Sequence, residues 1–229
     1  MFDKKNLFLL TFLLILITVS AWLLPASYFK EVFFYGNKKL TVQDEIYLTF
    51  PKPEINVEVI VDVSGSMWGK FEGVSKIINS KGILKILLKD LPQDVKLGLR
   101  TFGGKEESRL EVPLGLNNRE EIEKKVKKLR PDGKSPIGYA LDQAGKDLLK
   151  IRGQKYIILI SDGLDNGKID PIAKAKELRD AGIITHVVFL KSAENVGEEK
   201  LLKIAEAGGG HFFTINEKDL VVPIMTLTN

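Results

Sequence analysis

Residues Val57 to Gly69 read VEVIVDVSGSMWG: an apolar strand that runs into Asp62, Ser64 and Ser66, small oxygen-bearing side chains at every second position. Alternate residues on an extended chain point the same way, so the three side chains are predicted to aim their oxygens at one spot above the strand's end. That is one side of a site for a hard cation. The chain offers two further corners, Ser135 in DGKSPIGYAL and Asp162 in YIILISDGLDNG, each at the edge of a predicted element.

Outward from this stretch, strands and helices alternate. Pro51-Lys52-Pro53 marks a boundary, because proline removes a backbone donor and stiffens the chain. A strand over Ile55 to Val63 leads to a helix from about Glu72 to Leu91, with Val74, Ile77, Ile78, Leu84, Leu88 and Leu91 on one stripe, ended by Pro92. Val95 to Phe102 reads as a second strand, joined through GGKEES to a short antiparallel partner near Leu110 to Leu114. Asn118 and Glu121 resemble a capping box opening the helix of Ile122, Val126 and Leu129. A helix follows from Pro136 to about Leu149, then an almost wholly apolar strand, Tyr156 to Ile160, of the kind buried on both faces at the centre of a parallel sheet. Asp170-Pro171 opens another helix, Gly182 stops it, and Ile183 to Leu190 is the next strand. A helix on Leu201, Leu202, Ile204 and Ala205 ends at Gly208 to Gly210, before a last strand at His211 to Ile215. The pattern is α/β: a doubly wound, mostly parallel sheet flanked by helices, whose ligands bind beyond the carboxyl ends of the strands.

Ahead of this domain, Leu7 to Leu24 is an uncharged run of eighteen residues, preceded by Asp3, Lys4 and Lys5. That length predicts a transmembrane helix, with Trp22 and Tyr28 suited to an interfacial belt; a cleaved signal with Val19, Ser20 and Ala21 at its cleavage site is the alternative. The organisation expected is a tail and anchor over 1–24, a juxtamembrane connector over 25–53 and the main domain over 54–229. The connector holds β-type segments at Glu31 to Tyr35 and Val42 to Phe50 that could pair as a hairpin about Gly36-Asn37. A short N-terminal tail before a large domain favours a single-pass membrane protein with its domain extracytoplasmic, periplasmic or at the cell surface.

The net charge of +4 comes from Lys and Arg interleaved with Glu, as in EEIEKKVKKLR from Glu120 to Arg130. Such a run is a solvated helix face rather than a nucleic-acid stripe, so no nucleic-acid partner is expected. There are no cysteines, which excludes disulfides, thiolate metal sites and a cysteine nucleophile.

The strand-end Asp62 followed by Ser64 and Ser66 as Asp-x-Ser-x-Ser, a later hydroxyl before a helix and an Asp-Gly turn resemble the von Willebrand factor type A family, over Ile55 to about Ile215. The resemblance implies a metal-ion-dependent adhesion site holding Mg²⁺, with Mn²⁺ or Ca²⁺ as alternatives. Ser64, Ser66 and Ser135 would bind the ion directly, and Asp62 and Asp162 directly or through water. The family prefers Thr where this chain has Ser135. An open coordination position would take an exposed Asp or Glu of a protein partner, so the function implied is metal-dependent protein binding at a membrane. A cytoplasm-facing accessory subunit for assembly of an ATP-driven complex is the second reading. Specificity would reside around the ion, in Met67, Trp68 and the loop from Gly103 to Arg109. Asp62 and Asp162 are expected to face each other across the ion, so that in the metal-free protein two like charges share a partly desolvated edge with nothing between them.

Each corner also has a plainer role. Ser64-Gly65-Ser66 would serve as a flexible turn, Ser135 before Pro136 as a helix cap, and Asp162-Gly163 as turn chemistry, while Asp165 and Asn166 are alternative ligands. An enzyme is not expected. A haloacid-dehalogenase-type phosphatase needs a carboxylate two residues after its nucleophilic Asp, where Ser64 stands, and Gly133-Lys134-Ser135 lacks the earlier glycine of a phosphate-binding loop. His186 and His211 read as strand residues.

Overall fold

Val57, Val59, Val61 and Val63 are buried on one side of the first strand, and Asn56, Glu58, Ile60 and Asp62 on the other, so both faces of the strand are covered. This computed structural model describes residues 54–71, 73–104, 106–191 and 197–215, together with 34–35 and 38–39. Six strands form the main sheet: β1 (Ile55–Asp62), β2 (Lys96–Gly103), β3 (Glu106–Gly115), β4 (Gln154–Ser161), β5 (Ile183–Leu190) and β6 (Gly209–Ile215). Their order is β6-β5-β4-β1-β2-β3, parallel throughout except for β3, which runs antiparallel to β2 at the edge.

Five helices flank the sheet: α1 (Lys76–Asp90), α2 (Arg119–Lys128), α3 (Ile137–Leu148), α4 (Pro171–Asp180) and α5 (Glu198–Ala207). Ile77, Ile83, Leu84 and Leu87 of α1, with Ile122 and Val126 of α2, pack on the valine face of β1. Ile137, Leu141 and Leu148 of α3, Leu178 of α4 and Leu201 and Ile204 of α5 cover the Ile60 face. The chain leaves β1 toward β2 on one side and returns to β4 on the other, so the β1–β4 junction is the topological switch point.

The helix α1 begins later than its sequence pattern predicts, because Val74–Ser75 instead pairs antiparallel with Lys70–Phe71. Its inward face is Lys76, Ile77, Ser80, Ile83, Leu84 and Leu87, and Ile78 is 59% exposed. At about 100° per residue a face centred on Ile77, Ser80, Leu84 and Leu87 turns Ile78 toward solvent. The antiparallel strand β3 is longer than its predicted core of Leu110 to Leu114, and its Pro113 is tolerated because the strand is at an edge.

No capping box forms at Asn118. Its side chain makes no cap bond, and Nδ2 instead donates to the carbonyls of Leu97 at 2.6 Å and Pro113 at 3.0 Å, tying β2 to β3. At α4 the sequence signal is met, with Asp170 accepting from the Ile172 N–H at 2.9 Å and Pro171 in the first turn.

The chain divides into two units, Met1–Pro51 and Lys52–Asn229. In the first, Phe34–Tyr35 pairs antiparallel with Lys38–Lys39, and the expected Val42 to Phe50 segment lies outside the described residues. Leu7 to Leu24 lies outside the described residues, among which no helix is long and apolar enough to cross a membrane.

Candidate metal centre

Asp62 closes β1 at the switch point and is fully buried. Its Oδ1 accepts the backbone N–H of Ser64 at 2.8 Å, and its Oδ2 accepts the hydroxyl of Ser161 at 2.6 Å and, more weakly, that of Ser135 at 3.4 Å. The hydroxyls of Ser64 and Ser66 lie 3.0 Å apart. Hydroxyls from two loops and the last residue of β4 thus converge on the edge where Asp62 sits.

Strand alternation explains only part of this convergence. Ser64 is extended, but Gly65–Trp68 is a 3₁₀ turn, with the Met67 N–H donating to Ser64 O at 3.0 Å and the Gly69 N–H to Ser66 O at 2.9 Å. Ser66 comes beside Ser64 because the chain coils, which corrects the fully extended reading.

The neighbouring loop is stitched in by backbone bonds: Gly65 N–H to Gly133 O at 3.1 Å, Asp132 N–H to Val63 O at 2.8 Å and Gly104 N–H to Asp132 O at 2.6 Å. Gly133 has φ +68°, and a Cβ there would fall 2.2 Å from Gly104 O, so this crossing admits only glycine. Ser135 is not the cap of α3. Pro136 holds the cap position, which leaves the Ser135 hydroxyl directed at Asp62.

Asp165 and Asn166 do not join the cluster. Asp165 Oδ1 accepts from the N–H groups of Ile137 and Gly167, each at 3.2 Å, and Asn166 Oδ1 accepts from the Ser135 N–H at 2.8 Å. They latch the Ser135 loop to the Asp162 loop.

Asp162 follows β4, is 1% exposed, and accepts the Leu164 N–H on Oδ1 at 3.2 Å. Its Oδ2 is 2.6 Å from Lys76 Nζ. The expectation of two uncompensated acids in the metal-free protein is therefore corrected: a buried lysine is paired with Asp162. The Asp62 carboxyl is pushed up to about 7, chiefly by burial and then by the charge of Asp162, against the opposing hydrogen bonds from Ser161 and Ser64.

Lys76 and Ser161 are the site residues that sequence reasoning missed. Ser161 is the polar end of the apolar YIILI run, and Lys76 stands in the buried phase of α1 with Ser80 and Leu87; each is a visible signal. Met67 is fully buried under the turn and cannot meet a partner, whereas Trp68 is 57% exposed and donates through Nε1 to Pro131 O at 3.0 Å. His186 and His211 stack on one another in β5 and β6 with ring centroids 5.5 Å apart, as strand residues.

The donor set is oxygen only. Among the described residues no group of three His, Asp or Glu side chains forms a metal cluster, so an ion here would depend on the hydroxyls. Two carboxylates with three neutral hydroxyls fit a hard divalent ion that keeps part of its water shell, and fit a thiophilic metal poorly.

Comparison with known proteins bears on this geometry. The chain is 30% identical over 187 residues to YwmC of Bacillus subtilis, covering 75% of this chain and 82% of that protein. It is 32% identical over 181 residues to YwmD of the same organism, covering 72% and 81%. Among solved structures, an aerotolerance-related membrane protein from Bacteroides fragilis aligns with a TM-score of 0.62 at 19% identity, covering 72% of this chain and 93% of that one. Proximal thread matrix protein 1 from the mussel byssus, solved with a zinc-occupied metal-ion-dependent adhesion site, aligns with a TM-score of 0.61 at 20% identity, covering 77% and 45%. The family model for the von Willebrand factor type A domain matches residues 56–225, and the chain belongs to that family.

Proposed function

We propose that this protein is a membrane-tethered binding module that holds Mg²⁺ through Asp62, Ser64, Ser66, Ser135 and Asp162 and uses it to recruit an acidic residue of a protein partner. The observation that carries the reading is the convergence of the Ser64, Ser66 and Ser135 hydroxyls with the Asp62 carboxylate at one sheet edge. Type A domains are commonly metal-dependent protein binders, and the mussel protein of like fold carries an ion at its adhesion site. When bound, the ion would supply a fixed positive charge with an open position for a carboxylate. This chain's residues supply the oxygens, fix the loops and exclude water from Asp62.

The surroundings suit an acidic partner. A cleft of about 510 Å³ runs beside Ser135, lined by Gly104, Gly133, Pro136 and Tyr139, and the exposed Lys134 and Lys168 rim it together with Glu107. Membrane attachment rests on the apolar Leu7 to Leu24 run, and the Bacteroides fragilis protein of like fold is a membrane protein. In this reading the domain lies outside the cytoplasm, periplasmic or at the cell surface.

Calorimetric titration of the full chain with Mn²⁺ tests the ion reading. Wild type should bind one ion, and Ser64→Ala or Ser66→Ala should weaken binding without unfolding the domain. A wild type that takes up no ion refutes it. Proteins that co-purify in Mg²⁺ should fall away in chelator and with Ser66→Ala, and the full chain should resist carbonate extraction from membranes.

A further inference from the structure

We propose that Lys76 is a built-in counter-cation of the metal centre: its ammonium holds Asp162 in place when no ion is bound and weakens the site's grip on a divalent ion. The inference rests on the metal-site reading above and adds a residue that contributes no oxygen to it.

Lys76 opens α1, a place where lysine side chains ordinarily extend into solvent. Here the side chain turns inward. Nζ stands 2.6 Å from Asp162 Oδ2, with the two side chains 7% and 1% exposed. Buried lysines survive only when paired, so the ammonium and Asp162 need each other.

The path of the side chain is built into the fold. The Lys76 N–H donates to Gly69 O at 2.9 Å, and Ser80 Oγ donates to Lys76 O at 3.1 Å. Gly69 leaves the room: a Cβ there would stand 3.0 Å from Lys76 Cε and 3.5 Å from Nζ. Gly69 also ends the 3₁₀ turn that carries Ser66, so the loop bearing two of the hydroxyls is folded against the lysine stem.

Charge then decides the consequence. In the ionised form that takes a metal, Asp62 and Asp162 bring two negative charges, the serines none, and Lys76 one positive charge beside Asp162. A divalent ion entering the site meets one uncompensated carboxylate and a like-charged neighbour held in a poorly solvated place. Affinity of oxygen sites for hard cations follows ligand charge, and the repulsion adds to that deficit. Glycine at 69 and a lysine in the buried phase of α1 therefore act together as a setting on ion affinity, separate from the ligands themselves.

The test is Mn²⁺ binding, read by the loss of the free-ion electron paramagnetic resonance signal, on the full chain as wild type, Lys76→Met and Lys76→Arg. Lys76→Met keeps the length and apolar stem and removes the charge. It should bind Mn²⁺ roughly ten- to a hundredfold more tightly than wild type, while Lys76→Arg should stay within about threefold. Thermal melts give a second readout: Lys76→Met should melt below wild type in chelator and recover in saturating Mn²⁺. If wild type binds Mn²⁺ and Lys76→Met binds no tighter, the role of Lys76 is overturned while the metal centre stands. A Lys76→Met chain that stays unfolded even in saturating Mn²⁺ overturns it as well. If neither protein binds Mn²⁺, this inference and the metal-site reading fall together.

Discussion

Strand β1 carries two buried acids on one face, Glu58 in its middle and Asp62 at its end, and each belongs to a group of two carboxylates and one cation. At Glu58 the cation is Arg100. Its Nε donates to Glu58 Oε1 at 2.7 Å, one Nη donates to Asp147 Oδ2 at 2.5 Å and the other to Ser108 Oγ at 3.0 Å. At Asp62 the cation is Lys76, which reaches Asp162 only, leaving Asp62 to an N–H and hydroxyls. Both acids are pushed up to about 7, chiefly by burial. Arg100 opposes the rise at Glu58, whereas the charge of Asp162 adds to it at Asp62. A planar guanidinium fork spans two acids and closes the group; a point-like ammonium serves one and leaves the other available.

If that contrast is right, removing the fork is the more damaging change. Arg100→Met strands the buried Glu58 without its cation, while the half-buried Asp147 keeps Lys150, and should cost about 3–5 kcal/mol in urea denaturation, with no recovery in Mg²⁺. Recovery in Mg²⁺ would mean that the two groups are not separate.

Next in size is the metal linkage. Wild type should gain about 2.7 kcal/mol at a hundredfold excess of Mg²⁺ over its dissociation constant, and Asp62→Asn should lose most of that gain. In chelator Asp62→Asn should be at least as stable as wild type, because it removes a charge that burial and Asp162 disfavour. Equal metal-dependent melting shifts in the two proteins would show that Asp62 does not hold the ion.

The pH profile sharpens the same point. Asp62 keeps its proton to about 7 in the fold against an ordinary 3.8, so between those values the folded domain binds a proton that the unfolded chain has released. Metal-free stability from this group is therefore greatest below about 4, falls as pH rises toward 7 and is level above it. His186, held down to about 4 by burial, works the other way and loses stability as pH falls from 6.5 toward 4. The difference between wild type and Asp62→Asn cancels such shared terms, and should change by about 1 kcal/mol per pH unit between pH 5 and 7. A flat difference would place Asp62 in a better-solvated setting than the buried strand end.

The smallest effect concerns the latch. Asp165→Ala removes the acceptor for the Ile137 and Gly167 N–H groups and the partner of Lys200, and should cost about 1 kcal/mol in chelator and in Mn²⁺ alike, with ion affinity unchanged. A large fall in Mn²⁺ affinity would promote Asp165 from latch to ligand.

The alternation of strands and helices is readable because the buried strands are mostly apolar, β-branched runs, as in Tyr156 to Ile160, and Pro, Gly or Asp marks many of the corners between elements. The Asp62-Ser64-Ser66 corner was readable for a similar reason, since its members are near neighbours in the chain. Lys76 was not, because pairing it with Asp162 requires knowing that α1 returns its first turn to the strand end. Its position in the buried phase was visible, but a helix-end lysine usually escapes to solvent, and the room at Gly69 is a tertiary fact. Glu58 was passed over within an apolar stretch, although an acid in a strand covered on both faces implies a buried cation. Asn118 read as a cap because the local pattern was right; two carbonyls of the β2–β3 pair took its amide instead.

The three loops at the centre are joined through main-chain atoms: Gly65 to Gly133, Asp132 to Val63, Gly104 to Asp132. Main-chain bonds do not depend on which side chain is attached, so Ser64, Ser66 and Ser135 can be exchanged without moving the frame that displays them. Such a scaffold lets a lineage retune its chemistry by single substitutions while the architecture is inherited intact. Glycine at 133, whose place admits no side chain, is the position where that freedom ends.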